Sequence, residues 1–128
     1  MKYLVAGAGG FIGGHIVKKL VEQDHDVTCV DIKPLELWFQ KNKSSKNYSL
    51  DLKDLKNCEE VVKNNDFVIN MACNMGGIGF IEVNKAECML SVLINTNLLM
   101  CCKKFNIKKY FFSSSACAYN KDLQEKTF

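Results

Sequence analysis

Two hydrophobic patterns alternate along the chain. Short, nearly continuous apolar runs are typical of strands buried in a parallel sheet, whereas apolar residues that recur every three or four positions are typical of helices covering one. Residues 33–46 are rich in Lys, Ser and Asn and hold the only proline, so they are predicted to form a loop with a helical turn near 35–40. The predicted strands lie at residues 2–6, 27–30, 47–50, 67–71 and 109–113, and the predicted helices at 12–21, 52–63 and from 80 or 82 to 105.

This alternation predicts an α/β fold of the Rossmann type, a doubly wound parallel sheet with right-handed crossovers. The expected sheet has about five strands in the order 3-2-1-4-5. A chain of 128 residues that is 48% hydrophobic can bury one core of moderate size, so residues 1–128 are predicted to form a single dinucleotide-binding domain. Residues 120–128 carry no strong pattern where another strand and helix would be expected, so the fold is predicted to be truncated before a substrate-binding lobe.

Composition narrows the class of protein. The net charge of +3 comes from 17 basic and 14 acidic residues, with the lysines scattered, so no nucleic acid partner is expected. The seven cysteines contain no Cys-x-x-Cys, and neither His15 nor His25 has a partner at ligand spacing, so neither a disulfide scaffold nor a metal site is predicted. The N-terminal apolar run is too short to span a bilayer and has no cleavage-site pattern, so we expect a cytoplasmic protein without a membrane partner. Trp38 and Phe39 are expected to pack their loop against the core.

A glycine-rich turn joins the first predicted strand to the first predicted helix. Its sequence is Gly7-Ala8-Gly9-Gly10-Phe11-Ile12-Gly13. Glycine permits a tight turn, close approach of the backbone to a pyrophosphate and close packing of the helix on the sheet, while the helix N-terminus attracts the anion. The turn therefore predicts a dinucleotide site that includes Gly7, Gly10, Phe11, Ile12 and Gly13, although a glycine turn without a ligand is the simpler alternative.

Asp31 follows the second predicted strand. A carboxylate at this position can accept hydrogen bonds from the hydroxyls of the adenosine ribose, and it repels a 2′-phosphate. The expected cofactor is therefore NAD and not NADP.

The spacing of these glycines, Gly-x-x-Gly-x-x-Gly, resembles that of the extended short-chain dehydrogenase/reductase family. Asp51-Leu52 is similar to the family's Asp-Leu that contacts adenine, and Ser113 to Tyr119 is similar to the motif that ends its fifth strand. Asn70-Met71-Ala72-Cys73 resembles the Asn-Leu-Ala-Ala after the fourth strand, which implies a cofactor contact at Ala72. Departures are Ala6 where the family usually has Thr, Ser91 where it usually has Asn, and the absence of Tyr-x-x-x-Lys from all 128 residues.

Within that family, two motifs resemble the GDP-mannose 3,5-epimerase subfamily: Met75 to Ile81, similar to its Met-Gly-Gly loop, and Ser115-Ala116-Cys117. The resemblance implies that Cys117 is a catalytic base that also contacts the substrate, and that Ser115 bonds the sugar hydroxyl or the relay tyrosine. It also implies that Gly76 and Gly77 let the chain pass close to the sugar or the nicotinamide. The simpler alternatives are a small structural cysteine, a strand-end serine that satisfies backbone groups, and a flexible loop.

The chemistry implied by this resemblance begins with oxidation of C4 of the hexose by NAD, continues with proton exchange at C3 and C5, and ends with re-reduction of C4. The implied substrate is a nucleotide sugar of the GDP-mannose class. One alternative is another NAD-dependent nucleotide-sugar epimerase or dehydratase, and an alternative of a different class is a truncated, non-catalytic NAD-binding module.

The family resemblance also bears on assembly. It implies a homodimer for full-length members, in which the long helix ending at 105 packs against a second helix that bears Tyr-x-x-x-Lys. Since this chain lacks the second helix, the implication does not extend to the chain alone, and exposed apolar surface and poor solubility are predicted instead.

Overall fold

A computed structural model describes residues 1–74, 76 and 78–114, with only the backbone of Ile78. Gly77, Ser115 and Cys117 therefore lie outside the described residues. The strands are β1 (Lys2–Ala6), β2 (Asp26–Asp31), β3 (Lys46–Ser49), β4 (Phe67–Asn70) and β5 (Lys109–Phe112), and the helices are α1 (Phe11–Glu22), α2 (Leu55–Val62), α3 (Ile78–Val83) and α4 (Lys85–Lys104), with a 3-10 turn at Leu35–Leu37.

The five strands form one parallel sheet in the order β3-β2-β1-β4-β5, which confirms the predicted topology. Strand β1 lies at the centre, where Val5 is in register with Cys29 of β2 and Ile69 of β4. Chain order reverses on either side of β1, so the carboxyl ends of β1 and β4 flank a topological switch point.

The alternation of side chains along β1 divides the core into two layers. Leu4 and Ala6 face one side, where they pack with residues of α2 and α4, whereas Val5 faces the other side with Val17 of α1. All three β1 residues are fully buried, as expected for the central strand of a sheet covered on both faces.

The sequence predicts one continuous helix from 80 or 82 to 105, and this prediction is wrong. Asn84 interrupts it with φ −119° and ψ 37°, and its amide Nδ2 donates to the carbonyl oxygen of Phe80 at 2.9 Å. Asparagine competes with helical hydrogen bonds in this way, and the pattern of apolar positions does not register it. Two helices, α3 and α4, therefore replace the single one.

The start of α2 was also predicted too early, at residue 52. Asp54 caps this helix by accepting a hydrogen bond from the Lys56 N–H at 2.8 Å, so the helix begins at Leu55. Cys58 and Val62 are buried as expected, but Leu55, the first residue of the helix, is exposed.

The loop after β2 contributes one buried aromatic ring. Trp38 packs into the α1 layer, as predicted, whereas the prediction for Phe39 is wrong because 56% of this residue is exposed. Phe39 instead contacts Phe11 and His15 on the surface of α1, with ring centroids 4.8 and 5.7 Å away.

Helix α4 exposes an apolar face, in agreement with the exposed apolar surface that the sequence predicts. The exposed apolar side chains of α4 are Met89, Leu90, Val92, Leu93, Leu99 and Met100.

None of the helices within the described residues has the length and apolar character needed to cross a membrane.

Candidate functional site

The glycine-rich turn leads from the end of β1 into α1 and requires glycine at two positions. Gly7 has φ +79°, and a Cβ there would lie 2.7 Å from the Met71 carbonyl carbon. A Cβ at Gly13 would collide with the Gly7 carbonyl, whose carbon would be only 2.8 Å away. The turn therefore lets helix α1 and the end of β4 approach the chain at Gly7 more closely than any side chain would permit.

The N-terminus of α1 is free of side-chain capping. Gly10 precedes the helix in extended conformation and supplies no capping side chain, and the first turn contains no acidic residue. The leading N–H groups of a helix have no partner within it, and they carry the positive end of its dipole. This end of α1, with Phe11, Ile12 and Gly13, is suited to hold a pyrophosphate.

Asp31 lies beside this turn and is 9% exposed. Its Oδ2 accepts from the Gly9 N–H at 3.0 Å, and its Oδ1 accepts from the Lys33 N–H at 3.0 Å. Since each carboxylate oxygen can accept a further hydrogen bond, Asp31 keeps capacity for two ribose hydroxyls.

Trp38, which was predicted only as a packing residue, also supports the turn. A Cβ at Gly9 would lie 2.8 Å from the Trp38 ring, so the indole packs directly on the glycine. The indole Nε1 donates to the Lys33 carbonyl at 2.9 Å, and the Phe39 N–H donates to the Gly9 carbonyl at 3.0 Å. The loop after β2 therefore holds the glycine turn from outside.

One cavity, of about 380 Å³, lies on the β2 side of the turn. Asp51 and Leu52, the predicted adenine contacts, line it, and Lys53 pairs with Asp51 across 3.3 Å. The buried amide of Asn97 in α4 donates to the carbonyls of Leu52 and Lys53 at 3.2 and 3.0 Å, which ties this wall to the helix. We call this space the β2-side cavity; its lining residues not predicted as cofactor contacts are Ile32, Lys33, Leu50, Lys53, Met71, Cys73, Asn74, Leu90, Ser91 and Ile94.

A second cavity, of about 330 Å³, lies on the β5 side of the turn. Phe11, Ile12 and Gly13 line it together with Phe112 and Ser113, so it opens toward the residues that follow β5. We call it the β5-side cavity. The residues that line both cavities are Gly7, Gly10, Met71, Ala72 and Cys73.

The structure thus brings together every residue predicted to contact the cofactor. Asp31, Asp51 and Leu52 line the β2-side cavity, the first residues of α1 line the β5-side cavity, and Gly7, Gly10 and Ala72 line both. Two spaces that meet at a glycine turn suit a dinucleotide, with one nucleotide on each side of the switch point. The residues present therefore fit NAD.

Of the two glycines predicted to contact the substrate, only Gly76 lies within the described residues. Gly76 is exposed and lines neither cavity, and a Cβ there would lie 2.8 Å from Cβ of Phe80 in α3.

Helix α4 forms part of the wall of the β2-side cavity through Leu90, Ser91 and Ile94, about 80 residues after the glycine turn. Ser91 Oγ accepts a hydrogen bond from the Asn74 N–H at 3.1 Å. The sequence did not predict this part of the cavity wall; Ser91 stood out only as a departure from the family pattern.

Desolvation affects two titratable groups near the cavities. Burial raises the pKa of Tyr110 to about 12, so its hydroxyl stays protonated at neutral pH. Cys73 is exposed, yet partial desolvation, with a smaller contribution from Cys88, raises the pKa of its thiol. Neither group is a ready base at neutral pH.

Comparison with known proteins agrees with this geometry. The model of the NAD dependent epimerase/dehydratase family matches residues 3–127. GDP-mannose 3,5-epimerase from Arabidopsis thaliana is 34% identical over 128 residues, which cover 99% of this chain and 34% of that protein. The chain therefore spans about a third of the length of the curated relatives it matches first.

Solved structures show the same arrangement of strands and helices. UDP-glucose 4-epimerase from Thermotoga maritima, determined with UDP-glucose, superposes with a TM-score of 0.78 at 26% identity, covering 90% of this chain and 38% of that one. UDP-glucose 4-epimerase from Bifidobacterium longum, in complex with NAD+ and UDP, gives a TM-score of 0.77 at 28% identity, covering 94% and 38%.

Proposed function

The chain belongs to the NAD dependent epimerase/dehydratase family, and we propose that it is the NAD-binding part of a nucleotide-sugar epimerase most like GDP-mannose 3,5-epimerase. The observation that carries the proposal is the meeting of two cavities at the glycine turn, with the Asp31 carboxylate beside it. The expected cofactor, NAD, is the one on which this family depends.

Each part of the cofactor has a counterpart in the proposed site. Asp51 and Leu52 hold the adenine, Asp31 accepts from the adenosine ribose, and the first turn of α1 neutralises the pyrophosphate. The nicotinamide half then occupies the β5-side cavity, near Ser113 and Ala72. When bound there, NAD supplies the hydride acceptor and donor for the sugar's C4.

The GDP-mannose class is supported by the Met-Gly-Gly loop and by the Ser-Ala-Cys motif, together with 34% identity to the Arabidopsis enzyme. Ser113 lines the β5-side cavity, which is the space proposed for the nicotinamide. Ser115 and Cys117 come two and four positions later in the sequence, which supports a role for both near the nicotinamide. In this proposal Cys117 takes a proton from C3 or C5 of the sugar, and Ser115 bonds a sugar hydroxyl, while Gly76 and Gly77 allow the sugar to approach.

A second candidate is a non-catalytic NAD-binding module. It is favoured by the position of the described site residues, which lie around the space for the nucleotide, since nucleotide binding alone requires no proton relay. A UDP-sugar epimerase is a third candidate, supported by the similar Thermotoga and Bifidobacterium structures.

Deuterium exchange separates these candidates. The chain is mixed with the remaining two thirds of the Arabidopsis relative and NAD in D2O, and GDP-mannose and UDP-glucose are followed by mass spectrometry and proton NMR. Exchange at C3 and C5 of GDP-mannose supports the proposal, and turnover of UDP-glucose alone replaces it with the UDP-sugar candidate. NAD binding without exchange in GDP-mannose and without epimerisation of UDP-glucose favours the non-catalytic module, since epimerisation at C4 moves a hydride through NAD and exchanges no carbon-bound proton with the solvent.

Two cysteine variants make the same assay specific. Cys117→Ser is expected to abolish the exchange catalysed by the mixture, because a hydroxyl is a far weaker base than a thiolate near neutral pH. Cys88→Ser is the control, since Cys88 is half-buried on α4 and lines neither cavity. Equal exchange in both variants would remove Cys117 from the proposed mechanism.

A reducing, cytoplasmic location and a homodimer of the complete enzyme belong to the same proposal. All six cysteines within the described residues are free thiols, which supports the location. The exposed apolar face of α4 supports the dimer.

A further inference from the structure

Three polar side chains form a cluster next to the wall that the two cavities share, and one of them, Asn70, itself lines the β5-side cavity. Asn70 of β4 is only 1% exposed, and Tyr110 of β5 and Asn95 of α4 are half-buried beside it. The Tyr110 hydroxyl donates to Asn95 Oδ1 at 2.6 Å and accepts from Asn70 Nδ2 at 2.9 Å. Asn70 Nδ2 also donates to Asn95 Oδ1 at 3.3 Å. We call these three residues the Asn-Tyr-Asn cluster.

The cluster fixes which way the Asn70 amide faces. With its nitrogen held by Tyr110 and Asn95, the Asn70 Oδ1 points to Ala72 and accepts from its backbone N–H at 3.0 Å. In the reverse orientation, the amide N–H groups would face the Ala72 N–H, and two amide oxygens would face each other. The Ala72 N–H would then have no acceptor at this position.

Ala72 lies at the centre of the shared wall. Met71, Ala72 and Cys73 line both cavities, and the Met71 carbonyl also lies against Gly7. A displacement of this segment would therefore change both halves of the proposed cofactor site at once.

Packing alone does not explain a tyrosine at position 110. Phenylalanine would fill the same space against the core without burying a hydroxyl, which is costly unless it is hydrogen-bonded. The Tyr110 hydroxyl accepts a hydrogen bond from Asn70 of β4 and donates one to Asn95 of α4, so it links these two elements.

From this geometry we propose that Tyr110 and Asn95 are positioning residues for the dinucleotide, acting through Asn70 to fix the wall from Met71 to Cys73. The inference rests on the proposed NAD site, which it deepens by assigning part of the affinity to residues that do not touch the cofactor.

A matched pair of tyrosine variants tests this role. Tyr110→Phe removes only the hydroxyl of the cluster, and Tyr48→Phe removes the hydroxyl of another half-buried tyrosine that packs against the same core. NAD affinity, measured by calorimetry, is expected to fall about fivefold or more in Tyr110→Phe and to stay within about twofold in Tyr48→Phe. Equal affinities in the two variants would overturn the proposal.

Two substitutions at Asn95 add a test by conservative rescue. Asn95→Asp keeps an acceptor for the Tyr110 hydroxyl and should retain NAD affinity within about twofold, whereas Asn95→Leu removes the acceptor and should weaken binding as Tyr110→Phe does. A purely structural role predicts that loss of affinity follows loss of stability in all variants, so each variant's unfolding midpoint is measured alongside. If Asp and Leu at this position weaken binding equally, the positioning role is wrong.

Amide hydrogen exchange separates failure of this inference from failure of the NAD site. In the chain without added nucleotide, the Ala72 amide should exchange at least about tenfold faster in Tyr110→Phe than in the wild type. The Leu50 amide, which donates to the backbone carbonyl of Asp31, should keep its rate. A wild-type chain that does not bind NAD contradicts the proposed function. An unchanged Ala72 rate contradicts the cluster's role, whatever the binding result.

Discussion

The carboxylate of Asp31 accepts a hydrogen bond from the backbone N–H of Gly9, with 3.0 Å between Oδ2 and the nitrogen. The acid proposed to recognise the ribose therefore also holds the turn proposed to bind the pyrophosphate. Trp38 completes the unit, because its ring packs on Gly9 and its Nε1 bonds the carbonyl of Lys33, whose N–H bonds Asp31. Substitutions within this unit should therefore affect the binding of both parts of the cofactor together.

Gly13→Ala should disrupt the turn. Its new Cβ would meet the backbone of Gly7, which has no flexible end to move aside. We expect a loss of about 1–3 kcal/mol in the free energy of unfolding, measured with urea, and NAD binding weakened beyond detection by calorimetry.

Gly79→Ala is the matched control, since a Cβ at Gly79 in α3 meets nothing within 4 Å. It should leave NAD affinity unchanged and raise stability by up to about 1 kcal/mol, because alanine is the better helix former. Equal losses of stability in both variants would contradict the tight packing assigned to Gly13.

Alkaline pH should destabilise the folded chain through its buried thiols. Burial raises the pKa of Cys29 and Cys102 to about 11 and that of Cys58 to about 12, from an ordinary value of 9.0. Below pH 9 both states hold these protons and stability is at its full value. As pH rises from 9 toward 11–12 the unfolded thiols ionise first, so stability falls by up to about 1.4 kcal/mol per pH unit for each thiol.

Urea unfolding of the reduced chain at pH 8, 9, 10 and 10.5 measures this effect. In Cys58→Ala the free energy of unfolding should fall less between pH 9 and 10.5 than in the wild type, because the variant has one fewer thiol that ionises in the unfolded state. An identical pH dependence in the wild type and the variant would show that Cys58 does not contribute.

Much of the fold follows from local patterns in the sequence. Apolar runs and helical spacing are enough to predict five strands and their order, since parallel strands with short connections leave few topologies. The glycine turn and Asp31 are equally local, because spacing after a strand identifies them. This explains why the residues that follow the first two strands, and that are proposed to bind the nucleotide, could be named individually from the sequence.

Other parts of the site depend on contacts between distant segments. The Asn-Tyr-Asn cluster joins residues 25 and 40 positions apart, and Asn97 bonds a loop 44 and 45 positions earlier. No short motif encodes such pairs. The break at Asn84 was missed for a different reason, since it arises from a side-chain hydrogen bond within a stretch that keeps its apolar spacing.

NAD should protect one cysteine from alkylation. Cys73 is exposed and lines both cavities, so saturating NAD should slow its reaction with iodoacetamide by roughly tenfold, followed by peptide mass spectrometry at pH 8.5. The half-buried Cys88 lines neither cavity and serves as the control within the same sample. Equal protection of both thiols would indicate general tightening of the chain and not occupancy of the cavities.

Calorimetric titration of the purified chain with NAD and NADP tests the proposal that the chain binds NAD through Asp31. Asp31→Asn is compared with Asp26→Asn, which neutralises an exposed acid at the opposite end of the same strand, β2. We expect saturable NAD binding by the wild type and by Asp26→Asn, and at least about tenfold weaker binding by Asp31→Asn. We also expect a preference for NAD over NADP that Asp31→Asn loses. A folded wild-type chain that binds neither nucleotide, or equal NAD affinity in the two variants, would overturn the proposal.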